Sequence, residues 1–472
     1  MKLRSLLRRR RLHNFGLVWR WQAWLSLRFT RSGQFMLALL LASGILGLNT
    51  RQALGYQIFG FIAAALLLAM LITMRWLQRL PHNFKISRNL PPHASVGARA
   101  QYYFQLSHAG KQVLHGYSLL ECPHDPRPSR AQFEHAIEPG AEQRNRFDRA
   151  VGYYRWAWLL HMNRIAHIAE LPLPALVPGH VLQIGHSFTP FARGNLVLSG
   201  VWLARTDPLG LCRALQFIEL PSTMLVLPST WPTPPAPLPV ARHAQHQFAA
   251  SVSGDGEEFV GLRAYRPGDS LRIVHWKSFA RLGSPVVKEY QTEYFTRYAI
   301  LLDTVQAPAG QAFEDAIALA ASLVANLHRP DYLLDLLYID NDCQSATCGH
   351  GQLQVEALLH ILAGLQASRH ALLRQLQSLL LARHDELSAC VCVMLQWDEA
   401  RAQFVRQVQE LGLPLQVWLV CAKPHSDLPQ PLPSWLRLFH PGQCAQQLLT
   451  LQDDASASGM PLSNQTQATS QA

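Results

Sequence analysis

No aspartate or glutamate occurs in the first 120 residues; Glu121 is the first acidic side chain. Sixteen of the 42 lysines and arginines precede it, so from Glu121 onward 26 basic residues stand against 31 acidic ones, a net of −5. The formal charge of +11 therefore belongs to the amino-terminal end, and a nucleic-acid-binding role for the whole chain is excluded. Cysteine is sparse as well. Its eight residues are scattered without a CxxC pair, which excludes a disulfide framework and fits core thiols in a reducing compartment, with Cys390 and Cys392 on one expected buried strand. Neither a GxSxG elbow nor an HExxH helix is present, so the motifs of serine hydrolases and zincins are missing.

What the acid-free end does contain is apolar. Ser32 to Thr50 is 19 residues without a charge, and Gln52 to Met74 is another 23, separated only by Arg51. About 20 apolar residues span a bilayer as a helix, so residues 32–76 read as two transmembrane helices joined by a tight turn. Nine lysines and arginines lie between Met1 and Arg31, and Arg75, Arg79, Lys85 and Arg88 follow the second run. Positive residues stay on the cytoplasmic side. The expectation is a multi-pass protein of the bacterial inner (cytoplasmic) membrane with a basic cytoplasmic arm over 1–31 and both termini in the cytoplasm. The length of the basic segment and the second apolar run exclude a cleaved signal peptide. Trp19, Trp21 and Trp24, interleaved with the basic residues, suit a lipid interface.

From 84 to 227 short alternating segments broken by Pro, Gly and His, among them QYYFQLSHAG, HVLQIGHSFTP and NLVLSGVWLART, predict an antiparallel β-sandwich. Between them, residues 142–170 read as a helical insertion. PSTWPTPPAPLPV lies in a Pro-rich linker over 228–250. After a polar segment at 251–294, buried strands such as RYAILLDT and SACVCVMLQW alternate with helices to about 450, which predicts a parallel sheet covered on both faces. Residues 451–472 are rich in Ser, Gln and Thr and read as disordered. The fold class is thus α+β multidomain: a transmembrane helical hairpin, a β-sandwich and an α/β domain.

The polar segment holds the densest chemistry: GEEFVGLRAYRPGDSLRIVHWKSFAR, Gly256 to Arg281. Pro267, Gly268 and Asp269 read as a turn, with Asp269 capping a helix over SLRIVHWKSFARLG and Gly283 ending it. Glu257, Glu258, Arg263, Arg266, Asp269, Arg272, His275, Trp276 and Arg281 are the candidate interaction or structural residues. Three readings apply to them. In a polar knot, Arg263, Arg266, Arg272 and Arg281 pair with Glu257, Glu258, Asp269 and Glu289 while Trp276 packs as an anchor. In a docking surface, the arginines and Trp276 are hot spots. In a membrane-associated hydrolase, His275 is a general base oriented by Asp269 or Glu258, although Ser278 is poorly placed as a nucleophile.

These residues resemble the signature of the family labelled domain of unknown function 58, as does RTDPLGL at Arg205 to Leu211. The order of anchor, β-domain, signature and von Willebrand factor A-like domain is also similar to that family. The resemblance implies a bacterial membrane protein that works as an adaptor or scaffold with a MoxR-type AAA ATPase, and in some members beside a transglutaminase-like membrane protein. The activity of that family is unassigned; the expectation here is a non-enzymatic protein without a cofactor, with the hydrolase centred on His275 as the alternative. The von Willebrand fold often holds a cation at Asp-x-Ser-x-Ser after its first strand; here Asp303 is followed by Val305 and Ala307, so two ligands are missing and Asp303 is a weak metal candidate. Asp340 and Asp342 follow the second strand, where ligands of open sheets gather; they read as solvated strand-end acids, with a weak oxygen-ligand site as the alternative.

Overall fold

A computed structural model describes residues 2–46, 53–78, 84–110, 112–136, 138, 140, 143–233, 257–267, 274–292, 296–304, 310–327, 332–339, 343–348, 352–367, 373–421, 428–429 and 431–457. The chain divides into two compact units, Met1–Ser229 and Thr230–Ala472.

The first unit opens with helices α1 (Lys2–Arg28), α2 (Arg31–Leu46) and α3 (Ala53–Gln78). Within α3, Tyr56–Leu77 is the one stretch among the described residues long and apolar enough to cross a membrane. The 16 described residues of α2 rise about 24 Å, short of the ~30 Å hydrocarbon core. Residues 47–52, where the tight turn was expected, lie outside the described residues.

The basic arm is not a loose tail. Leu12, Phe15 and Trp19, spaced three and four residues apart on α1, form an apolar stripe. They pack against Phe133, Trp156 and Leu159. Those partners lie on α4 (Arg130–His135), which precedes the expected insertion, and on α6 (Tyr153–Met162), which with α5 (Arg146–Val151) falls within it. Phe15 and Trp156 stand 5.9 Å apart, ring centre to ring centre.

Two sheets face each other across one apolar core. The first has the order β1 (Phe84–Asn89), β3 (Ala100–His108), β7 (Leu182–Pro190), β5 (Ala166–His167). The second runs β2 (His93–Ser95), β9 (Arg213–Leu227), β8 (Gly194–Thr206), β4 (Tyr117–Pro123), β6 (Leu171–Pro172). The alternation in β3 sends Ala100, Tyr102, Phe104 and Leu106 inward and Gln101, Tyr103 and Gln105 outward. Arg88, counted with the basic flank on sequence grounds, points into this core. Its guanidinium meets Glu121 at 2.6 Å with both side chains almost wholly enclosed, and the Tyr102 hydroxyl donates to the other Glu121 oxygen at 3.0 Å. Burial pushes the Glu121 carboxyl up, against the opposing pull of Arg88 and Tyr102. The first acidic residue of the chain is therefore an internal counter-ion between the sheets.

In the second unit, β10 (Glu257–Ala264) and β11 (Val286–Thr292) form an antiparallel ribbon, with α7 (Trp276–Leu282) between them in sequence. A six-stranded sheet follows, of β12 (Thr296–Leu302), β13 (Tyr332–Ile339), β14 (Cys343–Cys348), β15 (Ala389–Met394), β16 (Leu415–Val420) and β17 (Leu436–Phe439). Its order is β14-β13-β12-β15-β16-β17, parallel except for the antiparallel edge strand β14. Helices α8 (Gln311–Asn326), α9 (Gln352–Gly364), α10 (Leu373–Ala382), α11 (Glu399–Glu410) and α12 (Cys444–Ala457) complete it. Two apolar clusters, one on each face, cover the sheet and bury β15 and β16 along their whole length. Cys390 and Cys392 are both fully buried in β15, their sulfurs 3.7 Å apart.

Two boundaries differ from expectation. The Pro-rich stretch does not begin as a free spacer: Trp231 donates its backbone N–H to the Ser322 hydroxyl at 2.8 Å and packs on the α8 side of the sheet, while residues 234–250 lie outside the described residues. Helix α12 continues to Ala457, seven residues into the expected disordered tail, and 458–472 lie outside the described residues.

Candidate functional site

The signature segment folds as a thin, open structure. Backbone pairing sets β10 against β11, with a bulge between Phe259 and Gly261. On the other edge of β11, Val274 bridges Val287 and the His275 N–H donates to the Val286 carbonyl at 2.9 Å. Val274 is paired as an extended residue, so α7 starts at Trp276 with His275 as its cap residue, later than the helix start that the sequence predicts. Gly283 does end it, in the left-handed conformation at φ 68°.

Among the described side chains of this segment, Val274 and Val287 alone are buried. Trp276 is 61% exposed, Leu282 66% and Leu262 42%, so the expected packed anchor is a surface side chain. Arg266 and Arg281 are exposed beside them, and Arg263, half-buried, donates to the Ala264 carbonyl at 3.2 Å. The His275 Nδ1 lies 2.7 Å from the Ser278 hydroxyl, one helical turn away. That contact brings together two residues that sequence reasoning kept apart. Asp269 and Arg272 lie outside the described residues. Glu257 and Glu258 take their places on β10 by backbone, with side chains outside the described part, as is that of Glu289 on β11.

The other stretch of the resemblance, Arg205 to Leu211, has the opposite character. Asp207 is buried, and its carboxylate accepts the N–H groups of Leu211 at 3.3 Å and Cys212 at 2.5 Å. This turn between β8 and β9 docks on the helices of its own unit. Thr30 donates its N–H to the Leu211 carbonyl at 3.0 Å, and Phe29 bridges Cys212. A Cβ on Gly33 would stand 2.0 Å from the Leu211 oxygen, so only glycine permits the approach. Leu211 and Cys212 share a buried cluster with Ile62, Leu66 and Ala69 of α3, and the Arg205 guanidinium lies 3.9 Å from the centre of the Trp76 ring. Burial, then the nearby Asp207, raises the Cys212 thiol to about 11, which leaves it inert at neutral pH.

Asp303 follows β12 at the point where strand order reverses between β12 and β15, the place where open α/β sheets gather ligands. It is fully enclosed, and Arg401 fills the position a cation would take: its Nε and Nη2 donate to one Asp303 oxygen at 2.7 and 2.6 Å. Asp398 caps α11, accepts the Arg401 N–H at 2.9 Å and pairs with the same guanidinium. A divalent ion does not fit this arrangement, because the carboxylate already holds a buried positive charge in a bidentate approach. Among the described residues no group of three or more His, Cys, Asp or Glu is arranged to hold a metal. Val305, Ala307, Asp340 and Asp342 lie outside the described residues. Arg401 was missed from sequence, yet the signal is present: it occupies the first place of the buried stripe Arg401, Phe404, Val405, Val408.

No family model matches the chain, and no curated protein matches it. Among solved structures it is similar to an aerotolerance-related membrane protein from Bacteroides fragilis NCTC 9343 carrying multiple mutations to serines. The identity is 11%, the coverage 34% of this chain and 88% of that one, and the TM-score 0.21. A GH20 exo-β-N-acetylglucosaminidase from Vibrio harveyi aligns at 8% identity over 78% of this chain and 80% of that one, with a TM-score of 0.15. At these TM-scores neither likeness establishes a shared fold.

Proposed function

We propose that this chain is a membrane-anchored, cytoplasm-facing adaptor whose signature segment is a docking surface for a protein partner, a MoxR-type AAA ATPase being the class that the sequence resemblance implies. The observation that carries this reading is the exposure of Trp276 and Leu282 on α7 beside exposed arginines. A large aromatic ring held in water on a short helix gains its burial only when something covers it, and Trp with Arg is the pairing that dominates interface energetics. The anchor is α3 with α2 beside it. The second unit is read as a von Willebrand A-like scaffold in which Arg401 stands in for the cation, so that its fold needs no metal.

One observation favours a second reading, the hydrolase centred on His275. The 2.7 Å contact between His275 Nδ1 and the Ser278 hydroxyl has the reach of a base and a nucleophile. Its positions at the cap and third residue of α7 equally make it a local brace for the first turn.

The deciding experiment purifies the chain from native membranes as parent, Trp276→Ala and Ser278→Ala. Recovery of an AAA ATPase with the parent and Ser278→Ala, but not with Trp276→Ala, supports the adaptor; loss of the biological function in Ser278→Ala with the partner still bound overturns it. Reporters fused before Gly33 and after Ala472 test the anchor: both should act only as cytoplasmic fusions, and a periplasmic signal from either contradicts the two-span topology.

A further inference from the structure

A second surface, in the first unit, is not used by any of these roles. Between α1 and the loop that precedes α4 lies a cleft of about 560 Å3, within the range of small-ligand sites. His13, Gly16 and Arg20 line one wall, spaced three and four residues apart on α1, and His124, Arg127 and Arg130 line the other. The acid present is Asp125, which accepts from the Arg127 Nε at 2.5 Å and from its backbone N–H at 3.0 Å. Arg130 is drawn aside by Glu134 at 2.8 Å. Arg20 and His13 are exposed and have no partner among the described residues, so the cleft keeps a net positive charge after its internal pairs are formed.

Gly16 adds an independent observation. It is buried in the interior of a 27-residue helix, where glycine is less favourable than alanine. Nothing in its backbone requires it: a Cβ there would meet only the Arg127 guanidinium, at an ordinary 3.7 Å. What glycine preserves is the open floor of the cleft, where a longer side chain would fill the space between the two walls. Trp156 forms an apolar part of the lining, and Trp19, its ring 5.6 Å from the Arg127 guanidinium, lies behind it.

The location selects the ligand. Trp21 and Trp24 stand exposed on α1, one and four residues beyond Arg20. α1 then ends at Arg28, where the chain enters α2 beside the β8–β9 turn that also meets Trp76 of α3. Arg20 is therefore about 12 Å along the helix from the membrane-entry point, and exposed tryptophans mark the interfacial layer. We infer that this cleft binds the phosphate of an anionic phospholipid headgroup, with Arg20 as its cationic contact and Gly16 as its floor. The inference rests on the membrane-anchored reading of α3. The lipid thereby fixes the orientation of α1, and with it the helical insertion, against the bilayer surface.

The test uses the full chain purified in a neutral detergent. Lipid retention is followed by native mass spectrometry for phosphatidylglycerol, phosphatidylcholine and inorganic phosphate, in the parent, Arg20→Gln and Gly16→Leu. One phosphatidylglycerol is expected to remain bound in the parent in preference to phosphatidylcholine. Its apparent affinity should fall about tenfold in Arg20→Gln, the loss of one charge-assisted contact, and Gly16→Leu should block it sterically with the positive charge intact. Equal retention of the two lipids, or unchanged phosphatidylglycerol binding in both variants, overturns the proposal. Displacement of the lipid by millimolar inorganic phosphate, with phosphate itself retained, overturns the lipid assignment in favour of a free anion. Cell fractionation separates this from failure of the anchor: Arg20→Gln should stay in membranes, because α3 is untouched, whereas a soluble parent chain rejects the anchor whatever the cleft binds.

Discussion

The two stretches that carry the family resemblance are alike in composition and opposite in surroundings. In the turn Arg205 to Leu211 the acid faces inward, bonded to backbone N–H groups, and the turn is wedged against helices so closely that Gly33 admits no Cβ. In the signature, Trp276 and Leu282 of α7 face outward and, among the described side chains, only Val274 and Val287 are buried. Polar residues of the same kinds thus serve once as an internal clamp and once as a surface. What separates them is where the neighbouring apolar residues go. Leu211 and Cys212 are covered by α3, whereas Trp276, touched by the Phe279 ring, and Leu282 stay mostly exposed.

Substitutions on each side should sharpen that contrast. The largest effect is expected at a reference position in the second unit: Arg401→Ala removes the guanidinium that balances the buried Asp303 carboxylate, at a cost of about 3–5 kcal/mol. Thermal unfolding should show it, and the double change Arg401→Met with Asp303→Asn should recover much of the loss. Magnesium or manganese should leave the parent's melting temperature unchanged; stabilisation of the parent by either ion, lost in Asp303→Ala, contradicts the claim that Arg401 occupies the cation position. Next comes the clamp. Gly33→Val forces the Leu211 carbonyl away and should cost roughly 3 kcal/mol, and Asp207→Ala, which leaves two buried N–H groups unbonded, about 2 kcal/mol. Wild-type stability in either variant means that the turn is no more wedged than the signature. On the signature side, His275→Ala should cost about 1 kcal/mol through its Ser278 bond. Trp276→Ala, exposed, should stay within about 0.5 kcal/mol of the parent; a fall of several kcal/mol shows that the ring is packed.

Long, strongly periodic elements were legible before the structure. The alternation in QYYFQLSH and the uninterrupted apolar runs of RYAILLDT and ACVCVM led directly to β3, β12 and β15. Short or masked signals were not. β14 and β17, of six and four residues, lack the length to show a period, and the apolar stripe of α1 is hidden behind a run of arginines. The start of α7 was misplaced because Asp269 is a good cap by type, while the pairing of Val274 with Val287 depends on a strand that follows it in sequence. The site residues themselves were named from sequence, but not whether they were inside or outside. A seven-residue helix has too few turns to declare which face is covered, and Arg401 looked like any surface arginine until Asp303 was seen against it.

The central claim, that the signature is a surface made for a protein partner, is tested most directly by placing a photo-activated crosslinking amino acid at position 276 in the full chain and irradiating native membranes. The account predicts an adduct with an AAA ATPase at 276 and none at Phe147, a still more exposed aromatic position on α5. An adduct only with lipid, or the same protein adducts at both positions, would contradict it.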